Sequence, residues 1–135
     1  MQRVYFDDLD ALNLLNNVRF VLFMERAGGE LFDALGFRWG VDLATNPDKF
    51  HVVAARPIRY LAPVRREGEL TVELQPVHLG TSSFVIAASA RSVDGSTVFA
   101  EGETRLVRFD PSTLRPCAWS DRFGAAVTPL LAPRA

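Results

Sequence analysis

Three aspartates, Asp7, Asp8 and Asp10, stand between a short apolar run ending at Phe6 and the longest apolar segment of the chain. Asn16 and Asn17 open that segment. Residues 4–23, VYFDDLDALNLLNNVRFVLF, read as strand, acidic loop and helix. This layout sets a carboxylate beside a helix N-terminus, where unpaired backbone N–H groups gather. A carboxylate facing a preformed electrophilic pocket is a minimal site for acyl transfer. One of these aspartates could serve as nucleophile or general base, against the simpler role of capping a turn. Asn16 and Asn17 divide evenly between capping the helix and presenting its amides. Asp8 suits a structural role in the loop, and Asp7 an exposed or paired one.

Other reactive side chains are weaker candidates. Ser82 and Ser83 follow a turn at Gly80 and could touch a substrate, but no G-x-S-x-G elbow surrounds them. His51 and His78 fall on expected strands without a second ligand at metal spacing. Glu25 reads as a paired or surface helix residue. Arg59, Arg65 and Arg66 could meet phosphates as bidentate donors, although solvated turn charges suit Arg65 and Arg66 better. Tyr60, Phe20, Phe23, Phe84 and Trp39 could line an apolar pocket, with core packing the default for each. Cys117, the single cysteine, has no activating neighbour in sequence and cannot close an intramolecular disulfide.

The elements that must hold these residues follow from hydrophobic period. Residues 3–7 alternate and are rich in strand formers. A helix is expected from Asn17 to about Leu35, with Phe20, Met24, Ala27, Leu31 and Leu35 on one apolar face. Asn16 or Asn17 suits the N-cap and Gly36 the C-terminal stop. Gly28 and Gly29 sit mid-helix, where each costs ~1 kcal/mol against Ala. Close approach of another backbone is the expected reason. Residues 50–61 read as a long strand with an edge position or bulge at Pro57. Strands at 69–79, 82–92 and 97–109 follow, the last two joined by an Asp94–Gly95 hairpin. Leu70, Val72, Leu74 and Val77 are placed on the buried side. The expected class is α+β, with an antiparallel sheet curled over one buried helix and four strands in a meander after that helix. Residues 110–135 read as a Pro-containing tail with a short helix near residues 119–127.

At 135 residues the chain fits a single domain, residues 1–135. Hydrophobic content of 48% argues against disorder. A net charge of −1 gives no general pull toward nucleic acid or anionic membrane. The N-terminus lacks the pattern of a signal peptide, and no run of ~18 apolar residues occurs, so a cytoplasmic location is expected.

The element order and the segment VYFDDLDALNLLNN resemble hotdog-fold thioesterases of the 4-hydroxybenzoyl-CoA thioesterase type. The family pattern is an aromatic-apolar strand, then D-x-D-x-x-G, then a polar pair opening the helix. Asp8 and Asp10 occupy the acidic positions here. MERAGGELFDALGF resembles the central helix and its exit, IRYLAPVRREGEL the segment after the second strand, and GTSSF with DGSTVFAEGETRLVRFD the last two strands. The resemblance covers roughly residues 3 to 116.

It implies a hotdog fold, one long helix wrapped by a five-stranded antiparallel sheet, and hydrolysis of acyl-CoA or a related acyl thioester without a cofactor. Asp10 takes the place of the catalytic carboxylate, and the Asn17 amide that of the group polarising the thioester carbonyl. Asn13, Asn16, Arg59, Tyr60, Ser82 and Ser83 are the expected substrate contacts. Three positions depart from the pattern. Asn13 replaces the glycine, Leu9 a common Thr, and Asn17 a His or Tyr. Asn tolerates positive φ, and the Asn17 backbone amide is retained whatever its side chain. The resemblance also implies a homodimer or homotetramer joined through sheet edges. A protein that binds acyl-CoA or acyl carrier protein without turnover is the alternative. A hotdog dehydratase is disfavoured, because no His lies within residues 1–50.

Overall fold

A computed structural model describes residues 1–12, 14–37, 46–65 and 67–133. The first strand, β1 (Gln2–Val4), is shorter than its aromatic neighbours suggested. Tyr5 and Phe6 leave the sheet and lie exposed, because the chain turns into a 3-10 helix at Phe6–Asp8. The long helix α1 (Asn17–Ala34) follows, capped by the Asn16 side chain, which accepts from the Val18 N–H. Gly36 adopts φ +89°, the left-handed stop that a glycine after a helix supplies.

The long strand expected at 50–61 is two pieces, β2 (His51–Ala55) and β3 (Ile58–Tyr60), interrupted at Arg56–Pro57. Both pair with the same neighbour, β6 (Val98–Arg108), so they fill one position of the sheet. Pro57 lacks an N–H, but its carbonyl still accepts from Glu103 N at 3.0 Å. The approach needs Gly102, since a Cβ there would lie 2.6 Å from the Pro57 oxygen. The remaining strands are β4 (Gly68–Leu79) and β5 (Ser83–Ser92).

Strand order is β1-β4-β5-β6-β2, with β3 beside β6, and all pairings antiparallel. The expected meander is therefore corrected. Only β4, β5 and β6 run hairpin to hairpin, and the strand before them sits on the far edge beside β6. Beyond β3 the chain crosses past the helix entry to reach β4, and Leu15 N donates to Val64 O on the way at 2.8 Å. A bulge at Val77 corrects a second expectation. It breaks the alternation of β4, turning Val77 outward and burying Pro76. The β5–β6 hairpin forms as expected. Asp94 Oδ1 accepts from Ser92 Oγ, Ser96 N and Ser96 Oγ, and these bonds, the Ser92 hydroxyl first, hold its pKa at about 2.

The sheet curls over the face of α1 that carries Phe20, Phe23, Met24, Ala27 and Phe32. Phe23 and Phe84 are fully buried, each contributing ~1.5–3 kcal/mol of apolar burial. The segment after β6 joins this core. Its helix α2 (Asp121–Val127), capped by Ser120, inserts Phe123, which stacks on Trp119 at 4.3 Å between ring centroids. Buried Asp48 ties the segment down by accepting from Ser120 N at 2.8 Å and from the Ser120 hydroxyl. Among the described residues no helix is long and apolar enough to cross a membrane.

Candidate active site

The acidic segment folds into a small loop closed by a bridge between Leu9 and Leu15. Its two aspartates have different jobs. Asp8 is buried and accepts from Tyr5 N at 2.8 Å, with Arg19 Nε 3.6 Å from its other oxygen. It holds the loop, as its sequence position suggested. Asp10 is exposed, and its Oδ1 accepts from the backbone amides of Leu12 and Leu14 at 2.8 and 3.3 Å. Asp10 N in turn donates to Leu14 O at 2.8 Å. Among the described residues no hydrogen bond is made to Oδ2.

The helix entry lies on the same recess. Asn16 N donates to Asp8 O at 2.9 Å, which locks the end of the loop to the start of α1. Asn17 is the first helical residue, so its N–H has no acceptor within the helix. The Tyr60 hydroxyl donates to Asn17 O at 2.9 Å, and its ring packs on Phe20 at 5.5 Å between centroids. Asp10, Asn17, Phe20, Tyr60, Pro63 and Val64 line an open groove of about 360 Å³. The arrangement sets one constrained carboxylate and one helix N-terminus on a single concave surface with apolar walls.

The expected substrate contacts divide. Asn16, Tyr60 and Arg59 gather at this end of the sheet. Arg59 is largely exposed and lies 3.5 Å from Glu101 Oε2. Ser82 and Ser83 do not join them within this chain. Ser83 pairs with Val107 on β6 while Tyr60 pairs with Ala100, seven residues away, or ~23 Å along the strand. Asn13, Trp39 and Arg66 fall outside the described residues. Phe23 and Phe84 are core residues. Cys117 is half-buried.

A second recess was missed from sequence. Gly28 and Gly29 do not admit a neighbouring backbone, since a Cβ at either would find no atom within 4 Å. They face a cavity of about 230 Å³ whose other walls include Phe32, His51, Val53 and Leu106. Glu25 pairs with Arg56 at its rim, joining α1 to the edge strand. His51 stacks on Phe32 at 4.8 Å between centroids, and its Nδ1 is 2.8 Å from Asp48 O. A carbonyl only accepts, so Nδ1 carries the proton. Burial lowers the His51 pKa, opposed by the Asp48 carbonyl and by the charges of Glu25 and Asp48. The glycine pair was the available signal.

One long helix inside a curled antiparallel sheet is the arrangement of a hotdog fold. A family model described as the thioesterase-like superfamily matches residues 4–127, and the chain belongs to that family. The acyl-CoA thioester hydrolase YbgC of Escherichia coli O6:H1 is 27% identical over 116 residues, 86% of this chain and 84% of that protein. A thioesterase from Thermus thermophilus, solved with coenzyme A and Zn, is 27% identical with a TM-score of 0.77. The likeness covers 96% of this chain and 92% of that one. The 1,4-dihydroxy-2-naphthoyl-CoA thioesterase Slr0204 from Synechocystis shares the fold at a TM-score of 0.81 and 15% identity, covering 98% and 96% of the two chains.

Proposed function

We propose that this chain hydrolyses acyl-CoA thioesters in the groove at Asp10. The observation that carries the reading is the shared groove of the Asp10 carboxylate and the α1 N-terminus. The thioester carbonyl sits against the Asn17 amide, whose N–H and helix dipole stabilise the oxyanion as it forms. Asp10 Oδ2 attacks the carbonyl carbon, or takes a proton from a water that attacks instead. Either route expels the CoA thiolate, which leaves as the thiol once protonated. Water then cleaves any acyl-enzyme anhydride, so both routes consume one water and release acid and CoA. The Leu12 and Leu14 amides hold the carboxylate in position, and the Tyr60 hydroxyl fixes the first turn of the helix. Arg59 lies on the strand beside Tyr60 but outside the groove lining, on the face that carries Glu101, and is the candidate for the CoA phosphates only if the nucleotide passes over that face.

The names of the Escherichia coli relative and of the coenzyme A-bound neighbour support the substrate. Two copies joining through the β2 edge form the proposed assembly, a dimer or a pair of dimers, with Val52 and Val53 exposed along that edge.

The test is thiol release from a panel of acyl-CoAs, with Asp10→Asn assayed beside the parent. The expected result is a loss of at least ~100-fold in kcat with the circular dichroism spectrum unchanged. A folded Asp10→Asn protein that keeps its rate removes Asp10 from the chemistry. Tight binding of acyl-CoA with no turnover by the parent would replace hydrolysis with a binding role.

A further inference from the structure

Arg56 stands at the interruption between β2 and β3 with its side chain only 14% exposed. A guanidinium carries five N–H donors in a rigid fork. Nε donates to Thr104 Oγ1 at 3.1 Å, and Nη2 donates to Glu25 Oε1. Among the described residues the Nη1 donors reach no acceptor. The Thr104 hydroxyl accepts from Arg56 and, among the described residues, donates to none. Thr104 is buried, at 9% exposure. Buried donors are ordinarily matched by acceptors.

Both side chains line the cavity of about 230 Å³ that Gly28 and Gly29 leave open along α1. The other walls are mainly apolar, with Met24, Leu74, Ile86 and Leu106 among them. Phe32 and His51, stacked at 4.8 Å between centroids, add a flat aromatic wall. The cavity is separate from the groove at Asp10. The seam between them holds about 10 Å³ and is walled by buried Phe20, Phe23 and Met24. Glycines in a helix interior are unfavourable, so this space is kept open against the preference of the helix.

We propose that the cavity is a second binding site, for a small carboxylic acid with an uncharged apolar body, whose carboxylate replaces Glu25 on Arg56. Volume sets the size. An apolar cavity of ~150 Å³ admits a benzene, so this one takes a ligand of about nine heavy atoms. Arg56 sets the charge. A carboxylate is planar and meets a guanidinium fork with two parallel hydrogen bonds. Its single charge matches the single cation once Glu25 turns away. A phosphate dianion would leave excess negative charge beside Glu25. Glu25 turns away readily, because its side chain is 52% exposed and regains water as it leaves. The apolar and aromatic walls select a flat hydrocarbon body and reject a second charge.

The probe is benzoate, which has about nine heavy atoms, followed by calorimetric titration and by amide NMR spectra of the whole chain at neutral pH. Benzoate is expected to shift the Gly28, Gly29 and Thr104 amides and to leave the Leu12 and Leu14 amides at Asp10 in place. Benzyl alcohol, with the same ring and no charge, is expected to bind at least ~10-fold more weakly. Arg56→Gln is expected to weaken benzoate binding by at least ~10-fold. Glu25→Gln removes the competing carboxylate from a half-exposed position and is expected to tighten benzoate binding by ~3-fold. A purely structural Glu25–Arg56 pair gives no such tightening, so this variant decides alone if Arg56→Gln does not fold. No benzoate binding by the folded parent at millimolar concentration overturns the proposal. Shifts confined to Leu12 and Leu14 overturn it too, since they put the acid in the groove. No measurement uses thioester turnover, so the outcome is independent of the reading at Asp10.

Discussion

Asp8 and Asp10 are two residues apart, and the fold gives them opposite surroundings. Asp8 is buried against the Tyr5 amide, while Asp10 is exposed with one oxygen bound by its own loop. The family resemblance, not spacing, singled out Asp10 and left Asp8 to the loop, whereas the Asn pair made the cap at Asn16 legible in sequence. The Tyr60 hydroxyl on Asn17 O was not legible, because it joins residues 43 apart through a crossing connection. Nor was the setting of His51, whose surroundings come from α1, from the segment at Asp48 and from Trp119. Those surroundings give a pH dependence. Burial lowers the folded pKa of His51 below its ordinary value of 6.5. Above pH ~6.5 the imidazole is neutral folded and unfolded, and no penalty arises. As pH falls below that value the unfolded chain takes a proton that the folded chain resists, so stability declines until the folded pKa is passed. His51→Gln keeps a donor for the Asp48 carbonyl but does not titrate. Urea unfolding at pH 7.5 and 5.5 is expected to show a smaller loss of stability for His51→Gln than for the parent. Equal losses would assign the acid sensitivity to other groups.

Elements were legible where a period runs unbroken. Helix α1 begins where the Asn pair predicts and ends one residue before Leu35, and its apolar stripe is the buried face. Sequence failed where the backbone departs from the period. One extra residue at Val77 reverses the alternation of β4, and another between Val53 and Ala55 does the same in β2. Apolar pattern carries no mark of a bulge. The glycine pair was misread for a related reason, since a helix sequence does not state whether a glycine meets a backbone or a void. The void makes a stability prediction. Ala at Gly28 adds a methyl with no atom within 4 Å and removes the entropic cost of glycine. Gly28→Ala is therefore expected to stabilise the fold by ~0.5–1 kcal/mol, a gain of about 3 °C in Tm by scanning calorimetry. A lower Tm would mean that the cavity is narrower than its walls indicate.

At the scale of the whole molecule, the number of sheet positions was readable and the order of strands was not. Each strand announces itself by its own residues, but its partner is chosen by where the connections cross. The chain between β3 and β4 passes the helix entry, which leaves β1 beside β4 and β2 on the outer edge. That edge carries Val52 and Val53, each 45% exposed. Soluble proteins protect such edges with charge, proline, a cover or a partner. Pro57 and the bulge interrupt this edge and Arg59 charges its β3 end, and in the proposed dimer a second copy laid antiparallel along β2 covers the apolar part with closed two-fold symmetry. Val52→Lys places a charge on each of the two facing strands, close to the symmetry axis, where like charges repel. Sedimentation velocity at micromolar concentration is expected to show the parent as a dimer or larger species and Val52→Lys as a folded monomer. A parent that sediments as a monomer rules out the edge pairing. A Val52→Lys protein that keeps the parent's mass moves the interface to another surface, with the exposed Phe6 and Leu12 beside the groove the next apolar patch to charge.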